Sequence, residues 1–562
     1  MQRSLESMAG GVYDIAVIGG GINGAAIAWD ATLRGLRVAL FEREDFGWAT
    51  SSNSAKIGHC GMRYLQHADL KRLRESMRER NYLVQNAPHL VDSQPFIMPV
   101  YGHGVKGKEI FGLYLRIYDW LSTAKKRFAD PARRIANSGM IRPDEVRAIM
   151  PGVDANRLTG AGIWQEGQMH NTERLLLAYL RAGVERGLDI ANYAEVTKVR
   201  HSDGKATGLS VRDRVTGTSF DVDAPVVINA SGPWALETLN ESGLTAADYG
   251  IYASKAFSLL TKQFTDGVAF TFPIKPMYSD KKAIVDKGSS MQFAIPWRDS
   301  TMIASLHLAS GTEKPEDIVI TDDEIDAYIE MINEGYPQAE LKREDVRNVL
   351  WGIIPAEEQG SAAPLKHYKI VDHGAHNDLA GLVTVVGVKY TTARDVAQKS
   401  VDLVGKYMNK SVGVSRSSST PLWGGDIDRL DEFVANAVQK NSDHLPESIV
   451  TRLCRSYGTG LTEITALIQS QPDLATCITG TEITRAEIVY AIRDEMARTL
   501  ADVVLRRTDM GSLEHPGGQA LRDTAALMAD YLDWDNDTID EMVSEVEVFF
   551  EQRPARLGLA AA

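Results

Sequence analysis

Apolar and polar positions alternate between two rhythms over residues 13–42. YDIAVIGG is a short uninterrupted apolar run, which predicts a strand covered on both faces. INGAAIAWDATLRG predicts a helix with small residues on one face, ended by Gly35, and LRVALFE predicts a second buried strand. Two parallel strands joined by one helix make the right-handed crossover unit of an α/β domain. From Asp69 to Ala87 the chain is charged with helical spacing and is ended by Pro88. Residues 172–187 predict an amphipathic helix with Thr172 near its N-cap.

Strand-like runs follow in ANYAEVTKVR, GKATGLSVRD and PVVINASG, and again in GLVTVVGVKY (381–390), which leads into the helical TTARDVAQKSVDLVGKYM. After SRSSSTPLWGGD the pattern changes, and from about residue 427 it is helical with acidic faces. At 562 residues the chain exceeds the size of one compact core. The expected division is a nucleotide-binding domain over 1–420, with substrate-domain parts near 90–160 and 245–360, and a helical domain over 421–562.

The chain carries a net charge of −14, with 44% hydrophobic and 24% charged residues. That balance argues against a general nucleic-acid binder, since no broad basic surface is available to neutralise phosphates. Cys60, Cys454 and Cys477 are too few and too scattered for a disulfide framework or a zinc cluster, so no metal is expected. The start, MQRSLESMAGGVYD, lacks the apolar core of a signal peptide. No run approaches the about 20 apolar residues of a spanning helix. The expected location is the cytoplasm, with peripheral attachment to the inner face of the cell membrane as the alternative.

Gly19, Gly21 and Gly24 form G-x-G-x-x-G between the first strand and the helix. The first glycine permits a tight turn, the second lets a pyrophosphate approach the backbone, and the third allows close helix–strand packing. The helix N-terminus offers unpaired N–H groups and a positive dipole end. Glu42 closes the second strand, where a carboxylate can accept from ribose hydroxyls and disfavours the 2′-phosphate of NADP. The motif alone leaves NAD and FAD open. Thr50, Ser51, Ser52 and Ser54 follow, then Lys56, His59, Gly61 and Arg63, a polar loop able to donate to phosphates.

With VIGGGINGAAIAWDATLRGLRVALFE, ATSSNSAKIGHCGMRYLQH, ERNYLVQNAPHLV, VINASGPWA (227–235), GVKYTTARDVA (387–397) and ADVVLRRTDMG (501–511), the chain resembles the flavin-dependent glycerol-3-phosphate dehydrogenases and oxidases. The resemblance implies an α/β plus α+β architecture. This comprises a Rossmann-like FAD-binding domain of D-amino-acid-oxidase type, an interleaved antiparallel-sheet substrate domain and a C-terminal all-helical domain. It also implies FAD as cofactor and hydride transfer from a secondary alcohol to flavin N5, with electrons passing to a quinone or to oxygen. By matching position, Arg63, Tyr64 and Lys389 would line the substrate side. Thr391, Thr392 and Gly387 would sit against the cofactor, and Gly232 beside its diphosphate.

Three matching segments depart from that family's pattern. Ile354 stands where an Arg precedes the proline in VLWGIIPAEE, and Ser258 stands for a His. Ser305, Leu306 and His307 stand for a Thr-Thr-Asp run. Loss of a fixed guanidinium removes a bidentate anion clamp, which points to altered substrate specificity unless Arg347 or Lys366 compensates. His307 and His59 are candidate proton acceptors, because free imidazole titrates near neutrality, although each also suits a structural role. Cys60 replaces a Gly and reads as a small buried thiol.

Residues 105–127 mix aromatic and aliphatic side chains with flanking Lys and Arg, as a core helix or a helix lying in a membrane interface would. Candidate partners are thus a small anionic substrate, a quinone or oxygen, a membrane surface and a second copy of the chain. The competing functions are a flavin-dependent amine or amino-acid oxidase, and a flavoprotein that has lost catalysis.

Overall fold

The computed structural model describes residues 1–552 apart from 4, 62–68, 105–106, 123–129, 244–248, 276–289, 313, 377–378 and 409. A six-stranded sheet runs in the order Lys369–Asp372, Leu382–Val386, Val227–Asn229, Ile15–Ile18, Val38–Phe41, Asp189–Ala191. All its pairings are parallel except that of the first edge strand. Ile15 and Val17 face a helical layer containing Ile22–Leu33, Thr172–Val184 and Ala393–Val404. Ala16 and Ile18 face a three-stranded antiparallel meander, 194–223, through Val199, Leu209, Val211 and Val222. Cover on both faces explains why these strands are apolar throughout rather than alternating.

The first helix follows its predicted limits, with Gly35 at φ +78° just beyond its last turn. The helix expected over 172–187 spans Thr172–Val184. Its cap is Asn171 rather than Thr172, because the Asn171 side chain accepts the Arg174 N–H at 2.8 Å. The run at 381–390 is a strand only over Leu382–Val386, after which the backbone leaves the sheet toward the cavity described below.

A larger, mainly antiparallel sheet is ordered Val346–Ala356, Tyr252–Thr261, Ser300–Ala309, Ser290–Trp297, Ala269–Ile274, Val91–Tyr101, Leu158–Met169, Ile57–Gly58. Helix Asp322–Gly335 covers one face, through a core that includes Phe257, Leu306, Tyr328 and Trp351. The other face looks toward the nucleotide sheet. Beyond residue 429 the chain is helical, and its apolar residues join those of the first helical layer in one continuous core.

Polar joints tie the helical domain to the rest. Arg174 pairs with Glu495 at 2.7 Å, both nearly inaccessible, and Arg181 pairs with Glu463 at 3.0 Å while stacking on Trp423. His89 is buried against Gly424 and Gly458. Burial first, then Arg174, Arg133, Arg455 and His170, pushes its imidazole down to about 3. As pH falls below the ordinary value of 6.5, the unfolded chain takes up this proton and the folded chain does not. The stability that neutral His89 contributes is therefore complete above pH 6.5 and is lost progressively down to about 3. Between about pH 7 and about pH 5, denaturant titration should show His89→Gln losing about 2 kcal/mol less stability than the wild type. Equal losses in both proteins would refute this.

Candidate active site

A cavity of about 810 Å3 extends from the glycine turn to the open face of the large sheet. At its nucleotide end, Gly19 turns with φ +100° so close to the neighbouring strand that a Cβ would lie 2.7 Å from the Ala230 carbonyl oxygen. A Cβ on Gly24 would lie 1.9 Å from the Gly19 carbonyl oxygen, so only glycine lets the helix start this close to the strand. Gly21 faces Ser51, whose Oγ accepts the Ile22 N–H at 3.0 Å. Glu42 is buried and accepts from Gly20 N (2.6 Å), Glu44 N (2.9 Å) and Trp48 Nε1 (3.2 Å). Burial raises its pKa while the Glu44 and Gly20 N–H groups oppose the rise.

Gly19, Gly21, Glu42, Thr50, Ser51, Gly232, Gly387 and Thr391 all border the cavity. Thr50 Oγ1 also donates to the Ile353 carbonyl at 3.0 Å, joining the polar loop to the large sheet. Four expected cofactor residues do not border it. Gly24 is spent on helix packing, and Ser52 Oγ donates to the Gly47 carbonyl at 2.5 Å. Thr392 is buried at the start of helix Ala393–Val404. Lys56 is drawn inward to Glu173 (2.7 Å) and Thr172 (2.8 Å), so it neutralises a buried carboxylate instead of facing a phosphate.

Residues not anticipated from the sequence complete this end. Trp48 and Trp234 pack in a tilted pair with centroids 5.1 Å apart, Arg43 lies 5.1 Å over Trp234, and all three border the cavity. Their approach depends on pairing between distant segments; only Trp234, which ends the short turn Gly232–Trp234 within the VINASGPWA segment, gave a local signal. Asn23 also borders the cavity, and its buried Oδ1 has no hydrogen-bond partner among the described residues. That orphan acceptor, the exposed backbone at Gly21 and Gly232, and a volume toward the upper part of the roughly 300–1,000 Å3 range of ligand pockets suit an extended dinucleotide.

At the sheet end, His59, Ser258, Ser305, His307, Ile354, Lys366, Arg72 and Lys389 border the cavity. His59 Nδ1 lies 3.2 Å from Glu166 Oε1. Glu166 is fully buried and also accepts from Trp164 Nε1 (2.8 Å) and Cys60 N (2.5 Å). Burial works to raise the Glu166 carboxyl, but the His59 ring, the Cys60 N–H and Arg80 together hold it below its ordinary value. Lys389 is half-buried as a residue and its amine is enclosed, with Nζ donating to Ser76 Oγ at 3.2 Å. That enclosure, and then the Arg72 guanidinium, lowers its pKa well below the ordinary 10.5.

A register shift between Phe257 and Leu259 brings Ser258 and Ser305 together, Oγ to Oγ 3.0 Å, while Ile354 lies opposite Ser254. Leu306 points into the core on the other face of the sheet. Arg347 does not take the place of a guanidinium at 354. It sits at the far end of that strand, paired with Glu514 (2.9 Å) and Asp299 (3.3 Å), whereas Lys366 does reach the cavity. Cys60 is buried behind the wall, and burial pushes its thiol up, consistent with an inert side chain. Arg63 and Tyr64 lie outside the described residues.

Residues 14–388 match the family described as FAD dependent oxidoreductase, and residues 415–539 match the C-terminal domain of alpha-glycerophosphate oxidase. The chain is 28% identical over 565 residues to a glycerol-3-phosphate dehydrogenase of Synechocystis, covering 98% of each chain. It is 28% identical to the aerobic glycerol-3-phosphate dehydrogenase of Bacillus subtilis, covering 90% of this chain and 88% of that one. The solved structure of a glycerol-3-phosphate dehydrogenase from Bacillus halodurans complexed with FAD superposes with a TM-score of 0.72 at 23% identity, over 99% of this chain and 98% of that one, and so shares the fold. Because of the 1.9 Å approach at Gly24, Gly24→Ala should yield a folded protein without visible flavin absorbance. Retention of full flavin content would count against this reading of the turn.

Proposed function

From the premise that the chain belongs to the FAD-dependent oxidoreductase family, we propose that it oxidises the secondary hydroxyl of glycerol-3-phosphate, or of a related small polar, anionic alcohol, to a ketone. The reading is carried by Lys389, an enclosed amine bordering the cavity whose pKa is lowered first by burial and then by Arg72. This setting favours the neutral amine, the form able to take a hydroxyl proton. FAD, when bound, supplies the acceptor for the hydride that leaves the same carbon.

The other residues follow from this assignment. His59, oriented by Glu166, holds the reacting oxygen. Arg72 and Lys366 attract the anionic group, and Arg63 and Tyr64 join the substrate side as the family resemblance implies. Ser258, Ser305 and Ile354 give the sheet wall a neutral character, which favours an alcohol with a free hydroxyl on that side. His307 borders the same wall and is the alternative proton acceptor. Gly19, Gly21, Glu42, Thr50, Ser51, Gly232, Gly387, Thr391 and Asn23 hold the dinucleotide. The division at about residue 420 separates these parts from the helical domain.

Electrons then pass to a quinone or to oxygen, and a membrane quinone suits helix Lys108–Leu121. This helix buries Leu115, Tyr118 and Leu121 but exposes Ile110, Leu113, Ile117 and Trp120, the last at 72%. These four share one stripe at helical spacing, with Lys108 and Arg116 also exposed. No helix among the described residues is long and apolar enough to cross a membrane. The stripe therefore suits docking on a lipid surface.

Under anaerobic conditions glycerol-3-phosphate or a related anionic alcohol should bleach the flavin, and amines should not; bleaching by amines alone would overturn the assignment. Lys389→Met should keep its flavin, lose about 10²–10⁴-fold in kcat and lose the rise of kcat/KM with pH that deprotonation of Lys389 produces. An unchanged pH profile would remove Lys389 from this role. Wild-type protein should sediment with phosphatidylcholine–phosphatidylglycerol vesicles, and the double variant Ile117→Glu/Trp120→Glu should stay in the supernatant. A wild type that also stays in the supernatant would sink the docking surface.

A further inference from the structure

The loop after strand Val38–Phe41 forms one wall of the nucleotide end, through Glu42, Arg43, Gly47 and Trp48. Asp45, in the middle of this loop, points the other way and is 1% exposed. Its Oδ2 accepts from Arg506 Nε (2.6 Å) and Arg507 Nη1 (2.7 Å). Its Oδ1 accepts from Arg507 Nη2 (2.6 Å) and Asn192 Nδ2 (2.9 Å). The fork of Arg507 thus grips both carboxylate oxygens, a geometry that fixes orientation as well as position.

The two arginines are themselves held. Arg506 Nη2 donates to Asp502 at 2.6 Å, and Asp502 also accepts from Tyr193 Oη at 2.7 Å. Arg507 Nε donates to the Glu495 carbonyl at 3.0 Å. Two carboxylates and two guanidiniums balance in charge inside a buried cluster. Both arginines lie in a five-residue π-helical turn, Val503–Arg507, a rare feature that concentrates at functional places.

The same segment continues to the other wall of the cavity. Asp509 pairs with Arg298 at 2.6 Å and accepts from Asn171 Nδ2 at 2.5 Å. The Ser512 carbonyl accepts from Asn348 at 3.2 Å, and Glu514 pairs with Arg347 at 2.9 Å. Asn348 and Arg347 lie on the strand that carries Gly352 and Ile354 to the cavity. Thirteen consecutive residues of the helical domain, 502–514, therefore hold both the cofactor loop and the substrate-side sheet.

We propose that residues 502–514 are a positioning clamp for the cofactor loop, so that the C-terminal helical domain sets how slowly FAD is released. The loop presents Glu42, Arg43 and Trp48 already ordered, and the ordering cost that would otherwise weaken cofactor binding is met by the Asp45 cluster instead. Asp45, Arg506 and Arg507 border no part of the cavity; they act through the loop.

The test uses the full-length holoprotein and follows FAD release by the recovery of flavin fluorescence after transfer to FAD-free buffer. Asp45→Asn and Arg507→Lys should release FAD about tenfold faster or more, with kcat and the KM for the alcohol close to wild type at saturating FAD. Glu463→Gln removes the charge from the Arg181–Glu463 joint between the same domains away from the cavity. It should lower Tm without changing FAD release. Arg507→Lys keeps the charge and carries the test where Asp45→Asn does not fold. Wild-type release rates in Arg507→Lys, or release that follows Tm equally in all variants, would overturn the proposal.

Discussion

The whole arrangement depends on one close contact, the first turn of helix Ile22–Leu33 against the bend at Gly19, with no room for a Cβ at Gly24. That contact aims the helix N-terminus at the carboxyl end of strand Ile15–Ile18. Strand order departs from this strand in two directions, toward Val38–Phe41 on one side and Val227–Asn229 on the other. A crevice outside the strand ends at such a switch point is where α/β sheets bind ligands. The large sheet then closes the crevice from the far side, and Thr50 bonded to Ile353 is one stitch across it.

The nucleotide half was largely legible from sequence because its signals are local. A doubly covered strand is apolar throughout, glycine spacing reports a close approach, and Gly35 marks the helix end. The distribution of roles among polar residues was not legible. Lys56 resembles a phosphate ligand in its loop, yet its fate is decided by Glu173, over a hundred residues away. Trp48 meets Trp234, and Ser258 meets Ser305, only through tertiary pairing. The departure at Ile354 was visible in the sequence. That Arg347 is no substitute for a guanidinium there was not, because this follows from which end of the strand each residue occupies.

Charge is used in two different ways in this chain. At the cavity, Lys389 is enclosed near Arg72, a setting that disfavours its charged form. At the joints, buried carboxylates and guanidiniums are matched closely, as in Arg174–Glu495, Arg394–Glu79 and the Asp45 cluster. Such pairs add little net stability compared with apolar packing, but they tolerate few alternative geometries. They specify how layers meet, and that registration is what a cavity built from distant segments requires.

The partners in the Asp45 cluster are separated by 461 and 462 residues. During synthesis the glycine bend and its loop leave the ribosome well before the two arginines do. A nascent or prematurely terminated chain therefore carries the dinucleotide bend without its guanidinium fork. Under the proposed clamp, durable loading of the flavin waits until residues 502–514 have emerged and docked.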